Sequence, residues 1–399
     1  MRMVFVIGTC DTKYDDLLYV KSIIRGNGLD ALLVDVGARK PAGGVDVSSR
    51  SVASCHPSGG GFVDSTDDRG EFIELMSESL EYYLKRNENS ISGVIGLGGS
   101  GGTSLITRGM RALPIGVPKL MVSTVASGDV APYVGPNDIT MMYSVTDVAG
   151  INRISAKVLG NAANAISGMA KFGIPSAGSS RPAIGLTMFG VTTPCVEAVK
   201  GMMEKKYDCL VFHATGTGGQ SMEKLLESGM FAGVIDVTTT EVCDLLMGGV
   251  FSAGDDRLGA VIRTRCPYVG SVGALDMVNF HAMDTVPEKY RNRNLYVHNP
   301  QVTLMRTTPE ENRIMGEWIA RKLNQCEGEV RFLIPERGVS MIDAPGKPFY
   351  DPDADRELFD SLEKNVSQTP KRKLVRLPYH INDPEFAEAL VNSFMEITK

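Results

Sequence analysis

Long apolar runs are missing from this 399-residue chain. None approaches the ~20 residues a membrane-spanning helix needs, and the N-terminal run Met3–Gly8 is too short for a signal peptide. A cytoplasmic protein with no membrane role is expected. A basic excess is missing too: 41 Lys and Arg stand against 47 Asp and Glu, and a net charge of −6 gives no electrostatic footprint for nucleic acid. The seven cysteines (10, 55, 195, 209, 243, 266 and 326) form no CxxC pair and are odd in number. That argues for reduced thiols and against a disulfide framework or a structural zinc. Cys10 alone adjoins a candidate site, with no histidine near it in sequence to act as base. There is no HxxxH pair, and no tight metal site is expected.

Glycine is abundant. The 43 glycines exceed the ordinary share of ~7%, and they cluster after apolar runs instead of forming linkers. Met3–Gly8, Ala31–Val36, Gly93–Leu97 and Lys119–Ser123 read as short buried strands. They alternate with helical stretches at Leu17–Ile24, Glu71–Lys85 and Thr103–Leu113. This alternation indicates βαβ units and a parallel sheet covered on both faces, with every strand C-terminus on one edge. Composition turns to Gly, Pro and Ser near 171–182, and the pattern then restarts with Ala183–Phe189, Cys209–Phe212 and Gly233–Asp236. The expected fold is α/β: two Rossmann-like, open, mainly parallel sheet domains, 1–178 and 179–399, with a cleft between them. Between Gly37 and Asp68 lies a stretch rich in Gly, Ser and Asp, either a site-covering loop or a flexible one. Thr308-Pro-Glu-Glu311 reads as a capping box and Asp383-Pro-Glu385 as a second helix start, while Trp318 belongs to the core.

The strongest local signal is Gly96-Leu-Gly-Gly-Ser-Gly-Gly-Thr-Ser104, which follows a strand and opens a helix. Gly98, Gly99, Gly101 and Gly102 let the backbone approach a ligand. Free N–H groups at the helix start face an anion, and Ser100, Thr103 and Ser104 add hydroxyls. No lysine follows the last glycine, so this is not a Walker A loop. Gly8-Thr-Cys-Asp-Thr-Lys13 follows the first strand: Gly8 and Thr9 offer N–H groups, Thr12 a hydroxyl and Lys13 a cation. Asp11 reads equally as a ligand-facing residue or a helix N-cap. Asp35 ends the second strand, where an acid often hydrogen-bonds a ribose hydroxyl. Ser123 and Thr124 end another strand on the same edge, with Asp129 just beyond as a solvated or metal-facing acid.

In the second half, His213-Ala-Thr-Gly-Thr-Gly-Gly-Gln220 repeats the phosphate-turn pattern with a histidine at the strand end. Glu241, Arg257 and His298, with Asp236, Asp255, His281 and Glu336, make a set able to transfer protons. Each alone also reads as a structural residue.

Six motifs occur in order along nearly the whole chain: GTCDTK at 8–13, GLGGSGGTSL at 96–105, STVASGD at 123–129, HATGTGGQSMEKL at 213–225, DVTTTEVCDLL at 236–246 and HNPQVTLMRT at 298–307. Together they resemble the tomato mosaic virus resistance protein-like ATP-binding family. That resemblance implies two Rossmann-like halves, self-association, and ATP held against Gly8–Lys13, Asp35 and Gly98–Thr103. Magnesium is a candidate companion of the ATP. The resemblance does not supply a reaction. Two functional readings follow: a nucleotide-binding protein, or an enzyme using His213, Glu241, Arg257 or His298 on a small anionic or acyl substrate, with ATP as co-substrate or effector.

Overall fold

A computed structural model describes residues 2–66, 68–148, 150–172 and 181–398. The chain forms two compact units, one on each side of the segment 173–180. The expected boundary at 178/179 lies outside the described residues.

The first unit carries strands β1 (Met3–Gly8), β2 (Ala31–Asp35), β3 (Ile91–Gly98), β4 (Lys119–Ser123) and β5 (Thr140–Tyr143). They pair in parallel in the order β2-β1-β3-β4-β5. The strands are apolar throughout because helices cover both faces. Phe5, Ile7, Val34, Val94 and Met121 pack on one side with the helix Arg69–Arg86, whereas Val4, Val6, Leu33, Ile95 and Val122 pack on the other with helices Tyr14–Gly26 and Arg153–Lys171. This is the doubly wound arrangement, and its winding reverses between β1 and β3.

The second unit has β6 (Ala183–Met188), β7 (Asp208–His213), β8 (Gly233–Thr238) and β9 (Tyr268–Gly273). After an insertion come β13 (Val330–Pro335) and β14 (Arg372–Leu377). The six pair in parallel in the order β14-β13-β9-β8-β6-β7, the winding of the first unit extended by one strand. The insertion was not legible in the sequence. It is an antiparallel sheet of β10 (Met277–Phe280), β11 (Leu295–Asn299) and β12 (Val302–Arg306), ordered β10-β12-β11. Met277 and Leu304 of that sheet pack with Phe189 and Val191, which lie just beyond the end of β6, and with Phe349. The insertion therefore places protein side chains beside the strand ends where this fold usually receives a ligand.

The shared winding also explains an irregular echo between the halves. The first glycine turn follows β3, beside the reversal point. His213–Gln220 follows β7, whose counterpart in the first unit is β2, on the outer side of β1. The two glycine clusters are alike in sequence but stand at different places in the winding.

Local signals behave as their chemistry requires. Thr308 and Glu311 form the reciprocal capping box, and Trp318 is buried in the core. Asp383 does precede a helix, but its carboxylate accepts the His380 amide at 2.7 Å and caps nothing.

Candidate functional site

The two glycine turns of the first unit leave adjacent strands, β1 and β3, on either side of the reversal point. A cavity of about 550 Å³ opens against them. Thr9, Asp11 and Thr12 line it from the first turn, Gly101 and Gly102 from the second, and Arg39, Val63, Arg69, Phe72 and Ile73 from the facing wall. Much of that wall comes from the 37–68 stretch, which is tied down by short helices Ser49–Ala53 and Phe62–Ser65 and by Lys21 bonded to Asp46. Ala38, Arg39, Val63, Asp64, Thr66 and Asp68 of this stretch line the cavity.

The second turn divides its labour. Gly98 serves close packing, since a Cβ there would stand 2.8 Å from backbone atoms of Gly102 and Thr103. Gly99 is the N-cap of the helix Ser100–Ala112 and brings no side chain. The first protein-bonded amide is that of Thr103, which donates to Gly99 O at 2.8 Å. Among the described residues the amides of Ser100, Gly101 and Gly102 have no protein acceptor, and they carry the positive end of the helix dipole. The hydroxyls of Thr103 and Ser123 are spent on each other at 2.6 Å in the interior, with Val125 N donating to Ser123 Oγ. Thr124 donates its amide to Gly98 O, and Ser100 is exposed at the helix start.

In the first turn, Gly8 packs against Leu17, and the Thr9 and Thr12 hydroxyls bond each other at 2.9 Å. The Lys13 ammonium donates to the Val148 carbonyl, beyond β5, and is not among the cavity-lining residues. Asp11 is not a helix N-cap: the helix Tyr14–Gly26 begins after Lys13, without a side-chain cap. Asp35 is fully buried, and its Oδ1 accepts the amides of Cys10 and Gly37, both at 2.9 Å. Burial, with the Asp11 charge adding to it, pushes the Asp35 carboxyl up. Burial and Asp35 push the Cys10 thiol far up, so it stays protonated and is no nucleophile. Asp129 is exposed and turns back to accept Ala131 N at 3.0 Å.

Sequence reasoning missed Arg39 and Arg69. Both are exposed on the cavity wall, and among the described residues neither is ion-paired. The only available signal was their position at the two ends of the Gly/Ser/Asp stretch.

The glycine turn of the second unit has a different occupant. Gly216 N and Gly219 N donate to Glu241 Oε1 at 2.8 and 3.0 Å, so a carboxylate of the chain itself fills the anion position. Glycine is required there: Gly216 takes φ +83°, and a Cβ on Gly219 would stand 2.2 Å from Glu241 Oε2. Arg257 then grips Glu241 at 2.8 Å, Asp236 at 2.7 Å and Glu223 at 3.1 Å. Tyr268 and Thr187 donate to Asp236. Arg257 is 2% exposed and Glu241 0%, so this cluster joins β8, β9 and two helices and is closed to solvent. Glu241 and Arg257 are thus brought together. His213 and His298 are exposed and share no hydrogen bond or ion pair with either, His213 lying edge-on to Phe189 and His298 in β11. His281 is exposed, Asp255 accepts from Trp318 Nε1, and Glu336 faces Arg376 at 3.9 Å.

Further buried acids in this unit give a pH dependence. Burial pushes Asp244 up from 3.8 to about 7. Burial and the neighbouring Asp343 also raise Asp276 and Asp355, around Arg306. A carboxyl whose folded pKa exceeds its unfolded value binds its proton more tightly in the folded chain. These groups therefore make stability fall as pH rises from about 4, the ordinary carboxylate range, to about 8, the highest of the raised values. His213, lowered by burial, opposes this as a single group. Urea unfolding should show greater stability at pH 5 than at pH 8; a rise over that interval would contradict the assignment.

Fold and site define a class: a two-unit, doubly wound α/β protein whose first unit presents paired glycine turns to a cavity. Residues 2–174 match the N-terminal domain, and residues 181–398 the C-terminal domain, of the uncharacterised protein family UPF0261. The chain belongs to that family. It is 56% identical to a UPF0261 protein of Rhizobium meliloti over 100% of this chain and 99% of the relative, and 46% identical to one of Clostridium tetani over 99% of both. It is also 44% identical to the ToMV resistance protein Tm-1(GCR237) of Solanum lycopersicum, over 99% of this chain and 56% of the tomato protein. Among the described residues no helix is long and apolar enough to cross a membrane.

Proposed function

We propose that the first unit is a nucleotide-binding module that takes a nucleoside polyphosphate, ATP first among them. The contrast between the two glycine turns carries this reading. In the second unit the turn amides are satisfied by Glu241, a built-in anion. In the first unit the amides of Ser100, Gly101 and Gly102 lack any acceptor among the described residues, and they open on a cavity with two arginines that are not ion-paired among those residues. A volume of about 550 Å³ lies in the range of small-molecule sites. Val63, Phe72 and Ile73 supply apolar wall for a base, while Arg39 and Arg69 supply charge for phosphates. Buried Glu241 and Arg257 serve to close the second turn, so no observation favours catalysis there.

Calorimetric titration with ATP, ADP and AMP tests the reading. Affinity should weaken with each phosphate removed. Equal affinity for ATP and AMP, or no binding of any of the three, would overturn it.

A further inference from the structure

Phosphates alone would leave Asp11 unanswered. It lines the cavity beside the glycine turns, where a carboxylate accepts hydrogen bonds and repels phosphate charge. The other acids of the cavity are already engaged: Asp64 pairs with Arg50 at 2.6 Å, and Asp68 caps Glu71 N at 2.8 Å. Asp11 Oδ1 is buried beside Gly37 without a hydrogen-bond partner. That leaves Oδ2 as the oxygen a ligand can reach. Asp35 ends β2, where this fold usually carries the acid that reads a ribose. Here it is fully buried, its Oδ1 accepts the amides of Cys10 and Gly37, and it is not among the cavity-lining residues. The position that usually faces a sugar is therefore filled by a structural acid, and the carboxylate beside the cavity belongs to Asp11 instead.

The order of the turns matches the order of groups in a nucleotide. β1 and β3 are paired neighbours, about 4.8 Å apart. With phosphates on the amides of Ser100, Gly101 and Gly102 after β3, the ribose comes next in covalent order, over the turn after β1 where Asp11 stands. Val63, Phe72 and Ile73 remain for the base. We propose that Asp11 reads the sugar: its carboxylate accepts a ribose 2′- or 3′-hydroxyl, and the cavity selects ribonucleotides over deoxyribonucleotides. This rests on the nucleotide reading above. A hydroxyl brings a proton and no net charge, so it is a part of the nucleotide that meets Asp11 favourably. A deoxyribose sets a C–H group against the carboxylate, which is then desolvated without a partner.

The test is calorimetric titration of the full chain with ATP, 2′-deoxy-ATP and 3′-deoxy-ATP, on the wild type and on Asp11→Ala. The wild type should bind at least one deoxy analogue roughly tenfold or more weakly than ATP. In Asp11→Ala that ratio should fall below about threefold, because the hydroxyl has lost its acceptor. The ligand-free melt should be unchanged or raised, since Asp11 Oδ1 has no partner to lose. Asp11→Asn, which keeps an acceptor oxygen, should restore part of the ratio. The proposal fails if the wild type binds all three nucleotides equally, or if Asp11→Ala keeps the full ratio; in both cases ATP binding itself would stand. Absence of binding by all three would remove the nucleotide reading and this assignment with it.

Discussion

Replacing Arg257 by methionine should destabilise the second unit by about 3–5 kcal/mol. Among the described residues the guanidinium is the only cation paired with Glu223, Asp236 and Glu241, in a space closed to water. Methionine fills comparable volume but leaves three buried carboxylates facing one another. They would respond by taking up protons. Burial already pushes Glu223 and Glu241 up even with Arg257 beside them. Without it their folded pKa values rise further above the unfolded ones, so the variant binds more protons folded than unfolded and its stability falls as pH rises. Urea unfolding of the variant should therefore show a steeper loss between pH 5 and pH 8 than the wild type. A variant as stable as the wild type at pH 8 would mean that the cluster is not held as described. The first unit should be insensitive to this change, because its core residues are its own.

The second large effect concerns ligand affinity. Arg39→Ala combined with Arg69→Ala should weaken ATP binding roughly a hundredfold, taking about 1.5 kcal/mol for each exposed charge-assisted contact. Both side chains are exposed and unpaired among the described residues, so the melting temperature without ligand should not move. Binding of AMP should fall less than binding of ATP, since the arginines act on added phosphate charge. An undiminished ATP affinity would place the phosphates elsewhere.

Much of the fold was legible because its signals are local. Apolar strands such as Val94–Leu97 announce burial on both faces, and Thr308 with Glu311 marks a helix start by its own hydrogen bonds. The glycine turns were legible for the same reason. Their fates were not. Thr103 and Ser123 looked like phosphate donors, yet they lie 20 residues apart in sequence and meet at 2.6 Å. Lys13 looked like a phosphate cation but reaches a carbonyl 135 residues away. Arg39 and Arg69 carried no periodic signal because loop ends have none.

The sequence alone determined the alternation of strand and helix, the two-fold restart of the pattern, and glycine at the points of close backbone approach. These depend on backbone conformation and on the spacing of apolar residues over a few turns. Only the tertiary structure decided which glycine turn stays open. Whether helix-start amides meet Glu241 or face a cavity depends on a residue 22 or 25 positions away and on the strand order that brings it near. Hydrogen-bond partners are chosen by distance in space, and a linear sequence does not record that distance.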